Sequence, residues 1–163
     1  MNAKELNVIS LLNSARVAFA VIGAHAVRFY GCDRPTQDLD ILFLPTRKNA
    51  DLLYPILKDL GAEDDIQKRY LEMNGQRFPV NHEGLQIDFL TSVSDIPTAL
   101  LLENMECGTE DGVEVPYISK SNLICVKRAS AKDAEKRYEK EMKDVKCLDP
   151  EVGVCDGRRG GTL

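Results

Sequence analysis

Residues 19–44, FAVIGAHAVRFYGCDRPTQDLDILFL, read as a short apolar strand, a small-residue turn, a helix, a loop and a second strand. Asp38 and Asp40 stand two apart within the last of these, inside an otherwise apolar run. Successive residues of a strand point to opposite faces, so both carboxylates share one face with Cα atoms roughly 6.6 Å apart. Leu39, Ile41 and Phe43 take the other face. Two like charges at 4 Å repel by about 4 kcal/mol at an effective dielectric of about 20. A cation between them removes that repulsion, and Asp is otherwise depleted in strands.

Working outward, Gly23-Ala24 ends the first strand and opens a helix. A small-residue turn at such a junction lets phosphate approach backbone N–H groups. If the two strands run antiparallel, the turn lies beside the aspartates. Further on, Leu85–Leu90 (LQIDFL) repeats the pattern, with Asp88 on one face and Leu85, Ile87 and Phe89 on the other. Should the Asp38 and Asp88 strands be neighbours, three carboxylates converge. Hard oxygen donors suit Mg²⁺ (or Mn²⁺), which takes one or two carboxylates together with substrate phosphates. A pair of such ions clamps the attacking and leaving oxygens of a phosphoryl or nucleotidyl transfer.

The rest of the chain supplies ordinary elements. Residues 3–15 form an amphipathic helix with an Asn2/Glu5 capping box. Thr46 caps a helix to Leu60 that Pro55 is expected to kink or split. Asn74-Gly75 predicts a hairpin between strands 68–73 and 77–80. A short helix over 96–103 precedes Asp111-Gly112 and a strand over 113–118. Ser119 caps a helix through Ala131. The charged segment 132–148 is expected to rest one stripe, Ala134, Tyr138, Met142, Val145 and Leu148, on the core.

At 163 residues, with 44% hydrophobic and 29% charged residues, the composition is that of one soluble domain with or without a helical appendage. A net charge of -5 and the lack of Trp disfavour a passive nucleic-acid binder. No signal peptide opens the chain, and the run Val17–Ala24 is too short to span a bilayer, so a cytoplasmic location without membrane contact is expected. The five cysteines lack a CxxC, and with His25 and His82 they make no zinc constellation. Free thiols in a reducing cytoplasm are expected.

A Gly-small turn followed about a dozen residues later by Asp-h-Asp-h, with a third strand aspartate downstream, resembles the DNA polymerase β-type nucleotidyltransferase superfamily. GAHAVRFYGCDRPTQDLDILF is especially similar to small bacterial nucleotidyltransferases, including toxins of abortive-infection toxin–antitoxin systems. LQIDFLTS and VPYISKSNLICVKRASAKDAEKR extend the likeness more weakly. The resemblance implies an α+β fold: a mixed β-sheet flanked by helices over residues 1–118, with C-terminal helices over 119–148 packed on it. The tail over 149–163 has no family counterpart; its Gly content and lack of period make a flexible segment the expectation. It implies that Asp38, Asp40 and Asp88 are the catalytic, metal-binding carboxylates. Gly23 and Ala24 would contact the triphosphate of an NTP such as ATP. His25 and Thr36 either touch phosphate or serve as a helix first-turn residue and a loop hydroxyl. Lys127 and Arg34 either reach the triphosphate or are solvated. The turn departs from the family's usual Gly-Gly or Gly-Ser, losing a hydroxyl donor but not the backbone ones. The expected activity is Mg²⁺-dependent transfer of an NMP to a hydroxyl on tRNA, protein or a small molecule, with an antitoxin as a possible partner. The alternative is a non-catalytic nucleotide-binding or regulatory domain on the same fold.

Overall fold

A computed structural model describes residues 1–63, 66–93, 95–133 and 137–152. Six strands form one mixed sheet in the order β3-β4-β2-β1-β6-β5. These are β1 (Phe19–Val21), β2 (Asp38–Phe43), β3 (Arg77–His82), β4 (Leu85–Leu90), β5 (Glu106–Glu110) and β6 (Val113–Tyr117). The helices are α1 (Ala3–Ser14), α2 (Gly23–Phe29), α3 (Arg47–Asp59), α4 (Thr98–Leu101), α5 (Lys120–Asp133) and α6 (Tyr138–Leu148). Helix α1 packs on α3 and β6, while α2 meets α5 and α5 meets α6. The result is the expected α+β architecture with helices against a mixed sheet. Among the described residues, no helix is long and apolar enough to cross a membrane.

The centre of the sheet is apolar on both faces, as its sequence demands. Leu39, Ile41, Leu42 and Phe43 of β2 and Ala20 and Val21 of β1 are fully buried. Strand β1 pairs antiparallel to β2, Phe19 opposite Phe43 and Val21 opposite Ile41. Asn49, buried in the first turn of α3, fixes how that helix meets the pair. Its Oδ1 accepts from Ala18 N at 2.7 Å, and its Nδ2 donates to Ala18 O at 3.0 Å and Leu44 O at 2.9 Å. The Asn2/Glu5 capping box of α1 and the Thr46 cap of α3 are present as read.

Several expectations are corrected. Pro55 does not split α3, which runs unbroken over Arg47–Asp59. Pro55 and Asp51 lie on the exposed side, where water can satisfy the carbonyl left without an N–H, while Leu53 and Leu57 stay buried. Residues 68–72 form a 3₁₀ turn instead of a strand. The hairpin instead joins β3 to β4 through Glu83-Gly84, with φ of 51° and 83°. Two successive positive φ values are what a two-residue hairpin loop needs, and Glu at the first position is an uncommon way to supply one. The Asn74-Gly75 turn leads into β3, where Gly75 N donates to Ser92 Oγ at 2.9 Å and Gln76 N to Thr91 Oγ1 at 2.9 Å. Asp111-Gly112 makes a β5–β6 hairpin, so a strand precedes that turn as well as following it.

Helix α6 buries Val145 and Leu148 of the expected stripe but not Tyr138, and its inward face also carries two acids. Tyr138 is 51% exposed, whereas Glu141 and Asp144 are buried beside Val145 and Leu148. Those acids face Lys127 of α5, itself buried, and the ion pairs outweigh the apolar periodicity. The expected free thiols are also corrected: Cys32 and Cys147 form a disulfide across 115 positions, with Cα atoms 6.1 Å apart. Sequence spacing is blind to a pairing between residues that far apart. Cys107 and Cys125 are free and exposed. Cys155, Ala134 and most of the expected tail (residues 153–163) lie outside the described residues.

Candidate active site

Strand β4 lies parallel to β2 with Asp40 directly opposite Asp88 and Asp38 opposite Gln86. The strand pairing therefore brings the three carboxylates onto one strip. On the other side of β2, Ile22 N donates to Asp40 O at 3.0 Å, which seats the Gly23 turn against the Asp40 side chain. Gly23 has φ of 65°, and a Cβ placed there would lie 2.0 Å from Asp40 Oδ2. Only glycine accepts both the conformation and the contact.

The electrostatics of the strip are unbalanced. Burial, then Asp88 and Asp38, push the Asp40 carboxyl up to about 6, with Lys127 and Arg77 pulling the other way. Asp88 is held by Arg77 of β3 in a two-point contact, Nε to Oδ1 at 2.9 Å and Nη2 to Oδ2 at 2.7 Å. That contact raises the Arg77 guanidinium above its ordinary value. Among the described residues, no group of three or more His, Cys, Asp or Glu side chains is arranged to hold a metal ion. Asp38 and Asp40 remain as a pair of hard oxygen donors, the protein share that a Mg²⁺–triphosphate complex takes.

Asp38 and Asp40 open on a cleft of about 740 Å³ whose walls include Gly23, Ala24, Thr36 and Lys127, while Asp88 is not among its lining residues. Cations dominate the remainder: Arg28, Arg34, Arg137 and Lys140 also line it, with Glu141. A second cavity of about 360 Å³ reaches Asp40 and Gly23 too, and has more apolar walls, including Leu90, Val93, Leu123 and Val126.

The other sequence candidates fall into place unequally. Thr36 Oγ1 donates to Asp38 O at 3.0 Å and accepts from Asp38 N at 3.2 Å, bracing the start of β2 at the cleft rim. His25 is not among the cleft-lining residues. It is buried with Nε2 3.2 Å from Glu5 Oε1, and burial lowers its imidazole below the usual histidine range more than Glu5 raises it. Lys127 lines the cleft while its Nζ lies 2.8 Å from Glu141 Oε2 and 2.8 Å from Asp144 Oδ2. Arg34 Nε is 3.1 Å from Asp144 Oδ1. Sequence reasoning missed Arg77, Arg28, Arg137, Lys140, Glu141 and Asp144. Glu141 and Asp144 carry a readable signal, two acids three apart on one helix face. Arg77 becomes legible only once the β3–β4 register is known.

The backbone is similar to that of solved nucleotidyltransferases. One is an antigenic nucleotidyltransferase-like protein from Paracoccidioides brasiliensis, with 15% identity and TM-score 0.60 over 93% of this chain and 78% of that one. Another is ANT(2″)-Ia in complex with adenylyl-2″-tobramycin, with 14% identity and TM-score 0.62 over 93% and 91%. The lincomycin-bound lincosamide antibiotic adenylyltransferase LnuA gives 18% identity and TM-score 0.56 over 91% and 96%. At these identities the likeness speaks to the fold. No match was found among curated protein sequences. The family assignment comes from the sequence itself: residues 2–153 match the nucleotidyl transferases of unknown function (DUF2204), and the chain belongs to that family.

Proposed function

We propose that this nucleotidyltransferase moves an NMP from an NTP to the hydroxyl of a small molecule, with Asp38 and Asp40 as ligands for Mg²⁺ or Mn²⁺ and Asp88 as the third catalytic carboxylate. The observation that carries the reading is the unbalanced acidic strip, with Asp40 pushed up to about 6 and its carboxylate filling the place where a Cβ on Gly23 would lie. A divalent cation bound there would supply charge neutralisation to the strip and to the triphosphate. Gly23 and Ala24 leave room for phosphate at the turn. Arg28, Arg137 and Lys140 line the same cleft and attract the polyphosphate. Thr36 keeps Asp38 in place at the rim.

In the reaction the acceptor hydroxyl oxygen attacks the α-phosphorus, and its proton passes to a carboxylate oxygen of Asp88. The bond from the α-phosphorus to the bridging oxygen breaks, and pyrophosphate leaves. The second cavity reaches the same Asp40, and its volume is within the range of small-molecule sites. ANT(2″)-Ia with its adenylylated tobramycin and LnuA with lincomycin are fold neighbours whose ligands are of that size class.

Radiolabelled NTPs incubated with Mg²⁺ and separate pools of small molecules, protein and tRNA test the proposal. Label is expected in the small-molecule pool, and Asp38→Ala and Asp40→Ala are each expected to abolish it. Full activity in both variants would overturn the assignment of the ligands. Label confined to tRNA or protein would replace the acceptor with a macromolecule and favour a toxin that an antitoxin partner restrains. NTP binding without transfer to any pool would favour the non-catalytic alternative.

A further inference from the structure

The disulfide joins the two walls of the cation-lined cleft. Cys32 lies in the loop between α2 and β2, whose next residues, Arg34, Pro35, Thr36 and Gln37, form one wall. Cys147 lies in the last turn of α6, whose first turn, with Lys140 and Glu141, forms part of the other. Asp144, one turn before Cys147, reaches both Arg34 and Lys127, and Glu141 reaches Lys127 again. Two of the cations that line the cleft, Lys127 and Arg34, therefore already have α6 carboxylates against them. A polyphosphate must displace those carboxylates, and the covalent bond resists the movement of the helix that carries them.

We propose that Cys32–Cys147 is a thiol–disulfide modification site that sets the affinity of the cleft for polyphosphate, weak when oxidised and stronger when reduced. This rests on the cleft being a polyphosphate site, one part of the reading above. The chemistry is open to an external dithiol. Cys147 is an exposed residue while Cys32 is 6% exposed, so the Cys147 side is the open approach for an incoming thiolate. A thiolate of the dithiol bonds to Cys147 Sγ, and the Cys32 sulfur leaves and takes a proton. The second thiol then attacks the mixed disulfide and releases Cys147 as a thiol. Two electrons and two protons pass to the cystine, and the dithiol becomes its own disulfide. Once reduced, α6 is held by noncovalent contacts, those of Val145, Leu148 and its ion pairs among them, and Glu141 and Asp144 can yield Lys127 and Arg34 to an anion.

The test uses the full chain, oxidised in air or treated with a dithiol, with each state assigned by alkylation and intact mass. Calorimetry then measures the affinity for inorganic tripolyphosphate and for Mg²⁺–ATP. Reduction is expected to tighten both by about 5- to 100-fold, the usual range of coupling between two sites. Cys32→Ser and Cys147→Ser should each match the reduced protein and ignore the dithiol, whereas Cys107→Ser and Cys125→Ser should keep the response. Equal affinities in the two states, tighter binding when oxidised, or no disulfide in the air-oxidised chain would each overturn the proposal. Should a serine variant fail to fold, the wild-type comparison still decides. Transfer that needs Asp40 with a redox-independent affinity defeats this inference alone. A redox-dependent affinity with Asp40-independent transfer defeats the catalytic reading alone.

Discussion

Two charged groups share one cleft and are built in opposite ways. The strip of Asp38, Asp40 and Asp88 gathers like charges, and Arg77 reaches Asp88 from the sheet edge with a side chain 63% exposed. The α5–α6 cluster gathers opposite charges, Lys127 and Arg34 against Glu141 and Asp144, mostly out of water. The second is electrostatically complete within the fold. The first is complete only with something added. Charge left unbalanced at a buried position beside an open cleft is the better pointer to a ligand, because a folded chain otherwise removes it.

The comparison breaks most sharply at Lys127. Lys127→Met takes the cation away from buried Glu141 and leaves Asp144 to Arg34, and unfolding in urea should show a loss of about 3–5 kcal/mol. A near-neutral result would mean the cluster is not the self-sufficient structural unit it resembles.

Next in size is the pH response of the strip in metal-free protein. Asp40 ionises near 3.8 when unfolded and at about 6 when folded, so the folded state disfavours its charge. Above pH 6 this group therefore lowers stability by about 3 kcal/mol, a penalty removed as pH falls from about 6 to about 4. Asp40→Asn should be more stable than wild type at pH 7 by a similar amount and lose that part of the pH dependence. A destabilised Asp40→Asn would show that the strip is balanced after all.

Gly23→Ala comes third. Positive φ and the contact with Asp40 together are expected to cost about 2 kcal/mol in thermal or urea unfolding. Loss of transfer should exceed what that instability explains, because Asp40 must move. Smallest is Arg77→Ala. A pair this exposed contributes less than about 1 kcal/mol to stability. Its effect should instead be seen in the pH–rate profile, as the proton-accepting carboxylate loses its partner.

Much of the strip was legible in the sequence. Asp38 and Asp40 share a face because a strand has period 2, and that holds whatever the strand pairs with. Asp88 was readable as a strand aspartate but not as a neighbour of Asp40. The cluster was legible only in parts. An apolar-stripe reading of 132–148 turned Tyr138 inward and Glu141 outward, since hydrophobic periodicity takes no account of a buried lysine on another helix. The same limit hid the disulfide, which joins loop to helix across 115 positions.

By itself, then, the chain determined the local facts: a glycine turn, two same-facing carboxylates, the caps of α1 and α3, and membership of a nucleotidyl transferase family. Those follow from backbone geometry and nearest neighbours. Tertiary structure alone decided that Asp88 meets Asp40, that Arg77 holds Asp88, that His25 faces Glu5, and that Lys127 is held by α6. Each depends on strand order and helix docking, which are settled by the burial of the whole core and not by any one segment.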